Sequence, residues 1–268
     1  MTTSSANGPI VLKLGTGILT QDAGAELDYG RLQRLVAAVA KVHELGQRCL
    51  LVSSGAVGAG MTALNLEQRP DDIPTLQACA AIGQCRLMRR YEDLFQEQGL
   101  RVAQLLLTHD DLETEIRRDR IRSTLNRLLE IPRVVPIINE NDSVAVFELR
   151  FGDNDILSAR VAGLMRARQL LMLTTAPGLL PPDETDPGRI VREVDNIDAV
   201  LHYARDEKGD LSVGGMASKL RAAREAVEAG VEVVIADGRK PEQLVELVNG
   251  LGFATRFLAR QPTPVVEA

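Results

Sequence analysis

Short apolar runs that recur between helix-patterned stretches set the strongest limit on how this chain can fold. Cys49-Leu50-Leu51-Val52, Val134-Val135-Pro136-Ile137-Ile138, Leu170–Leu173 and Val231–Ile235 are continuous, not alternating. Such runs mark strands buried on both faces, as in a parallel sheet. Ile10–Leu14, interrupted by Lys13, and Val102–Leu107 extend the set. Between them lie helical patterns over residues 31–45, with Gly46 as cap, about 75–98, closed by Gly99, 112–130, 156–166, 216–229 and near 241–248. Strands alternating with helices predict an α/β fold: a three-layer α/β/α sandwich around a mainly parallel sheet. The 268 residues fit one large α/β domain or two small ones. Residues 144–151 alternate and predict a hairpin outside the sheet, 177–188 a proline-rich loop, and 206–215 a mobile acidic, Gly-rich segment. The first eight residues read as a disordered start.

Parallel sheets bind ligands at the carboxyl ends of their strands. Four strand ends should therefore share one edge: Lys13-Leu14-Gly15, Ser53-Ser54-Gly55, Asn139-Glu140-Asn141-Asp142 and Thr174-Thr175. The third is polar beyond what a turn requires, and Gly152-Asp153-Asn154-Asp155 repeats the chemistry just before a helix. Helix capping accounts for Asp153 and Asn154 but not for Asp155 as well. Grouped carboxylates repel one another unless a cation sits among them. The expectation is a pocket for a small, charged, amine-bearing substrate.

Lys13 reads either as a snorkelling lysine or as a fixed charge aimed at phosphate; Gly15 and Gly17 favour the second, since glycine admits anions close to backbone N–H groups. Gly214-Gly215-Met216-Ala217-Ser218-Lys219 runs a glycine pair into a helix start, which suits phosphate too. It lacks P-loop spacing, and Gly55-Gly58-Gly60 is GxxGxG, not a dinucleotide fingerprint. Ser54 has no evident histidine partner among His43, His109 and His202, so it reads as a hydrogen-bonding group and not a nucleophile.

Composition excludes other classes. A net charge of -6 without a basic tract, 3% aromatics and no Trp argue against nucleic-acid binding. No apolar run approaches the ~20 residues of a membrane span. Cys49, Cys79 and Cys85 form no CxxC pair and read as buried structural thiols in a cytoplasmic protein. No zinc or EF-hand spacing occurs, so any metal would be Mg²⁺ carried by a nucleotide.

Taken together, Val11-Leu12-Lys13-Leu14-Gly15, Val52-Ser53-Ser54-Gly55-Ala56, Ile82-Gly83-Gln84, Leu105-Leu106-Leu107-Thr108, Ile138–Asp142, Phe151–Asp155 and Gly214–Lys219 come in the order and spacing of one family. The chain resembles the amino acid kinase family over nearly its whole length. Its INEND and GDND pair resembles the members that phosphorylate the γ-carboxylate of L-glutamate with ATP and Mg²⁺, the opening step of proline synthesis.

The resemblance implies one kinase domain, with an amino-acid-binding part about 9–165 and a nucleotide-binding part about 166–260. It implies that Lys13 and Lys219 stabilise the transferring phosphoryl group and that Asp155 holds both. Ser54, Gly55, Asn139, Asp142, Asp153 and Asn154 would bind glutamate. Gly15, Thr174, Thr175, Val213, Gly214, Gly215 and Met216 would border the nucleotide, with Gly15, Gly55 and Gly215 as backbone donors. Proline as feedback inhibitor, a homodimer or homotetramer, and a glutamyl phosphate reductase as partner follow by the same analogy. Thr175 stands where the family usually has an acidic residue, Val213 where it usually has Thr, and Ala176-Pro177 is unusual there. The PUA module that many such members carry after the kinase part is not among these residues. Two other readings stay open: a glutamate- or proline-sensing relative, and a kinase for another small carboxylic acid.

Overall fold

The computed structural model describes residues 8–21, 26–144, 154–204 and 215–259. The start at 1–7, most of the expected hairpin (145–151) and most of the Gly-rich segment (206–214) lie outside them.

In chain order the elements are β1 (Ile10–Leu14), α1 (Thr16–Leu19), α2 (Tyr29–Glu44), β2 (Cys49–Val52), α3 (Ala56–Ala63), α4 (Ile73–Glu97), β3 (Arg101–Leu107), α5 (Glu115–Glu130), β4 (Val134–Glu140), α6 (Asn154–Leu164), β5 (Gln169–Thr174), β6 (Glu193–Val194), α7 (Met216–Glu228), β7 (Glu232–Asp237), α8 (Leu244–Val248) and β8 (Ala254–Phe257). Among the described residues the strands form an eight-stranded sheet in the order β3-β4-β2-β1-β5-β7-β8-β6. Every pairing is parallel except β7 with β8. Helices cover both faces, so the expected α/β/α sandwich is observed.

Strand parity sorts the core into two layers. Ile10, Leu12 and Leu14 of β1 pack with Leu32, Leu35, Val36 and Val39 of α2 and with Leu87, Tyr91 and Phe95 of α4. Val11 faces the other way, onto a layer with Leu157 and Val161 of α6, Leu220, Ala223 and Val227 of α7, and Leu125 of α5. Successive strand residues point to opposite faces, so Lys13 shares the α6/α7 side with Val11. That parity decides what Lys13 meets.

Local signals set most boundaries. Asp72 caps α4 by accepting from the Thr75 amide at 2.9 Å, with Pro74 in the first turn. Gly46 and Gly99 close α2 and α4 at φ +77° and +66°, which β-carbon-bearing residues rarely adopt. The helix expected over 112–130 is shorter. Thr108 and Asp111 form a capping box over a separate 3₁₀ turn, His109–Leu112, and α5 starts only at Glu115.

Four elements escape the sequence reading. α1, β6 and β8 are too short for periodicity to register. α3 is built from Ala56, Gly58, Ala59 and Gly60, residues whose propensity and pattern say little. Cys85 also departs from expectation: Cys49 and Cys79 are buried, but Cys85 is exposed. It is one position past Gln84, which faces inward, and a helix turns about 100° per residue.

Candidate active site

Register places the expected strand ends together. Lys13 lies beside Val52 and Met172, Val52 beside Ile138, and Thr174 beside Asp237. The carboxyl ends of β4, β2, β1, β5 and β7 thus line one edge.

Asp155, in the first turn of α6, is wholly buried. Its Oδ1 lies 2.5 Å from Lys13 Nζ and its Oδ2 3.2 Å from Lys219 Nζ, near the start of α7. Both lysines are themselves buried, at 5% and 6% exposure. Burial pushes the Asp155 carboxyl up, but the two ammonium charges and their hydrogen bonds outweigh it and hold it below the usual carboxylate range. Within the triad two ammonium groups meet one carboxylate. Paired amines held this close suit an anion of high charge density such as a polyphosphate.

Beside this triad runs a chain of amides and hydroxyls. Asn154 Nδ2 donates to Ser54 Oγ at 3.3 Å and to Asn139 Oδ1 at 3.2 Å. Asn139 Nδ2 donates to Gln84 Oε1 on α4 at 2.8 Å. All four residues are buried. Ser53, next to Ser54, shares a 2.8 Å hydrogen bond with Tyr91, whose hydroxyl burial pushes up, so it stays neutral. Asp142 is half-buried in the turn after β4.

Gly55 caps α3 at φ +97°, ψ 2°, a left-handed conformation suited to glycine. Gly215 caps α7, and Met216 follows it half-buried. The Gly15 amide donates to the Leu173 carbonyl at 3.1 Å, continuing the β1–β5 ladder. The Gly15 amide is thus already engaged and not the open backbone donor expected of it; a β-carbon there would sit 3.3 Å from the Leu173 carbonyl oxygen and 3.8 Å from Lys13 Nζ. Thr174 is buried at the end of β5, its carbonyl accepting from Gly238 N at 2.8 Å, while Thr175 is exposed. Asp153, Val213 and Gly214 lie outside the described residues. Sequence alone shows Gln84 only within the Ile82-Gly83-Gln84 motif and gives it no site role, because one glutamine in an amphipathic helix does not show which way it faces.

Residues 8–237 match the amino acid kinase family. The chain belongs to that family. Among curated relatives, it is 44% identical over 252 residues to a glutamate 5-kinase of Geobacter sp. (strain M21), covering 93% of this chain and 67% of that one. It is 43% identical over 250 residues to a glutamate 5-kinase of Symbiobacterium thermophilum, covering 92% and 95%. The chain thus spans about two thirds of the first relative and nearly all of the second. Among solved structures, the fold is similar to a carbamate kinase from Giardia lamblia bound to AMP-PNP, with TM-score 0.64, 19% identity, and 95% and 99% of the two chains covered. It is also similar to an N-acetylglutamate synthase from Neisseria gonorrhoeae complexed with coenzyme A and N-acetyl-glutamate, with TM-score 0.67, 18% identity, and 95% and 60% covered. At such identities these two structures speak to the family fold alone. Among the described residues no helix is long and apolar enough to cross a membrane.

Proposed function

We propose that this amino acid kinase transfers the γ-phosphoryl group of ATP to the γ-carboxylate of L-glutamate, giving L-glutamyl 5-phosphate for proline synthesis. The observation that carries the reading is the convergence of Lys13 and Lys219 on Asp155 beside the Ser54–Asn154–Asn139 chain. The glutamate 5-kinase relatives supply the acceptor.

The chemistry suits these residues. A glutamate carboxylate is already ionised at neutral pH, so the acceptor needs no general base. One carboxylate oxygen attacks the γ-phosphorus as the bond to the leaving ADP oxygen breaks. Charge spreads over the phosphoryl oxygens and the departing bridge oxygen, and alignment plus nearby positive charge lowers the barrier. In this reading Lys13 and Lys219 carry that charge, and Asp155 keeps their amines from splaying apart before the nucleotide binds. Ser54, Asn139, Asp142, Asp153 and Asn154 hold the amino acid. Thr174, Thr175, Gly214, Gly215 and Met216 border the nucleotide, with Val213 beside them. Mg²⁺ enters as the counter-ion of the ATP phosphates. Proline inhibition, a homo-oligomer and hand-over of the labile acyl phosphate to a reductase belong to the same proposal.

Coupled ADP release with and without L-glutamate is the test. Glutamate-dependent release that aspartate and glutarate do not match supports the reading. ATP turnover only with a different acid would move the acceptor. Glutamate binding without any turnover would make the chain a sensor and overturn the reading.

A further inference from the structure

The amide chain beside the triad has a fixed polarity, and one backbone group fixes it. The Glu140 amide donates to Asn139 Oδ1 at 2.9 Å. A backbone N–H can only donate, so Asn139 must turn its oxygen toward Glu140 and its Nδ2 toward Gln84. Gln84 must then present Oε1 to Asn139, at 2.8 Å. Asn154 must present Nδ2 to the same Asn139 oxygen, at 3.2 Å, and that nitrogen also donates to Ser54 Oγ at 3.3 Å. Three ends of the chain follow from this. Gln84 Nε2, a donor, and Asn154 Oδ1, an acceptor, are buried without a partner among the described residues. Ser54 Oγ, already accepting, has its own proton to give.

Orphaned amide atoms in residues only 9% and 8% exposed are costly unless something fills them. The open set is two donors and one acceptor. That is the complement of an amino acid: carboxylate oxygens for the donors, an ammonium for the acceptor.

Position decides which carboxylate Gln84 takes. Lys13 is on β1, Ser54 follows β2, and Asn139 ends β4, in adjacent order along the sheet. With strands about 4.8 Å apart, Asn139 lies roughly 10 Å from the strand of Lys13. Gln84 is bonded to Asn139, at the far end from the lysines. Resting on the function proposed above, we infer that Gln84 is a substrate-binding residue whose Nε2 donates to the non-reacting α-carboxylate, while Asn154 Oδ1 accepts from the ammonium. Gln84 thereby selects for acids that carry a second carboxylate.

Two variants and three acceptors test this. Gln84→Met keeps the bulk and removes the donor; Gln84→Glu keeps the link to Asn139 Nδ2 but sets a negative charge against the carboxylate. Both should raise KM for L-glutamate at least tenfold, Gln84→Glu the more, with kcat changed less than threefold and the KM for ATP unmoved. Glutarate should suffer alike. For 4-aminobutyrate, which lacks the α-carboxylate, kcat/KM should change less than twofold. A KM for L-glutamate within twofold of wild type in the two variants, or an equal loss on all three acceptors, overturns the assignment.

Side-chain amide NMR of ¹⁵N-labelled wild-type protein needs neither turnover nor a folded variant. The Gln84 NH₂ resonances should shift on adding L-glutamate and stay put with 4-aminobutyrate; a shift with neither, although L-glutamate binds, overturns the assignment. Wild-type turnover of L-glutamate separately tests the function on which it rests.

Discussion

Asp155 sits between two lysines drawn from opposite ends of the chain, and its substitution separates structure from chemistry. Asp155→Asn leaves two buried ammonium groups facing each other, and losing one partner of a buried charged cluster costs about 3 kcal/mol or more. A urea titration should show the loss. The acid limb should change as well. The folded carboxyl titrates below its unfolded value, so its stabilisation is complete above the unfolded value of about 3.9 and disappears as pH falls through the lower folded one. The wild-type urea midpoint should therefore drop below about pH 4, and Asp155→Asn should flatten that part of the drop. Lys219→Ala should lower kcat by on the order of 10³-fold with the glutamate KM within a few-fold, read by coupled ADP release. An unchanged kcat would remove Lys219 from the transition state. Lys13 and Asp155 were legible in the sequence, since a lysine breaks an apolar strand and a third acidic-amide residue exceeds what a cap needs. The role of Gln84 was not, although Ile82-Gly83-Gln84 is one of the motifs: a helix accepts glutamine anywhere on its surface, and only the contact with Asn139 shows what this one serves.

α3 and α4 show why small residues matter at the level of elements. A β-carbon on Gly60 would run into the backbone of Cys79, and one on Gly83 into the carbonyl of Ala56. Backbone cannot swing aside as a side chain can, so the helices would have to separate. Gly83→Ala should cost about 3 kcal/mol in thermal or urea unfolding, at the upper end for overpacking. It should also raise the glutamate KM, because Gly83 precedes Gln84 and Ala56 follows the Ser54-Gly55 turn. A variant as stable as wild type would mean the two helices part without strain. In the sequence, Gly55, Gly58 and Gly60 stand out only for a spacing unlike a dinucleotide fingerprint and reveal no helix there. Glycine and alanine in that run were selected by close packing against α4, a tertiary requirement that local periodicity does not record.

At the scale of the whole molecule, the site has no home in any single stretch of chain. β1 pairs with β2 on one side and β5 on the other, so a boundary near residue 165 cuts the middle of a continuous sheet. A fragment of residues 8–165 keeps α6 over β1 but lacks β5, β7 and α7, so it opens the β1 edge and bares the side of α6 that packs on α7. It should show no cooperative melting transition by circular dichroism; a sharp transition would establish an autonomous half. Apolar runs, glycine stops and helix periods are local, and they determined from sequence alone that a mainly parallel sheet would be sandwiched by helices with polar turns on one edge. Which charges meet at that edge was decided only by the folded chain. Strand parity turns Lys13 toward α6 and α7 and Asn139 toward α4, while strand order sets their separation; both arise from pairing between segments far apart in sequence.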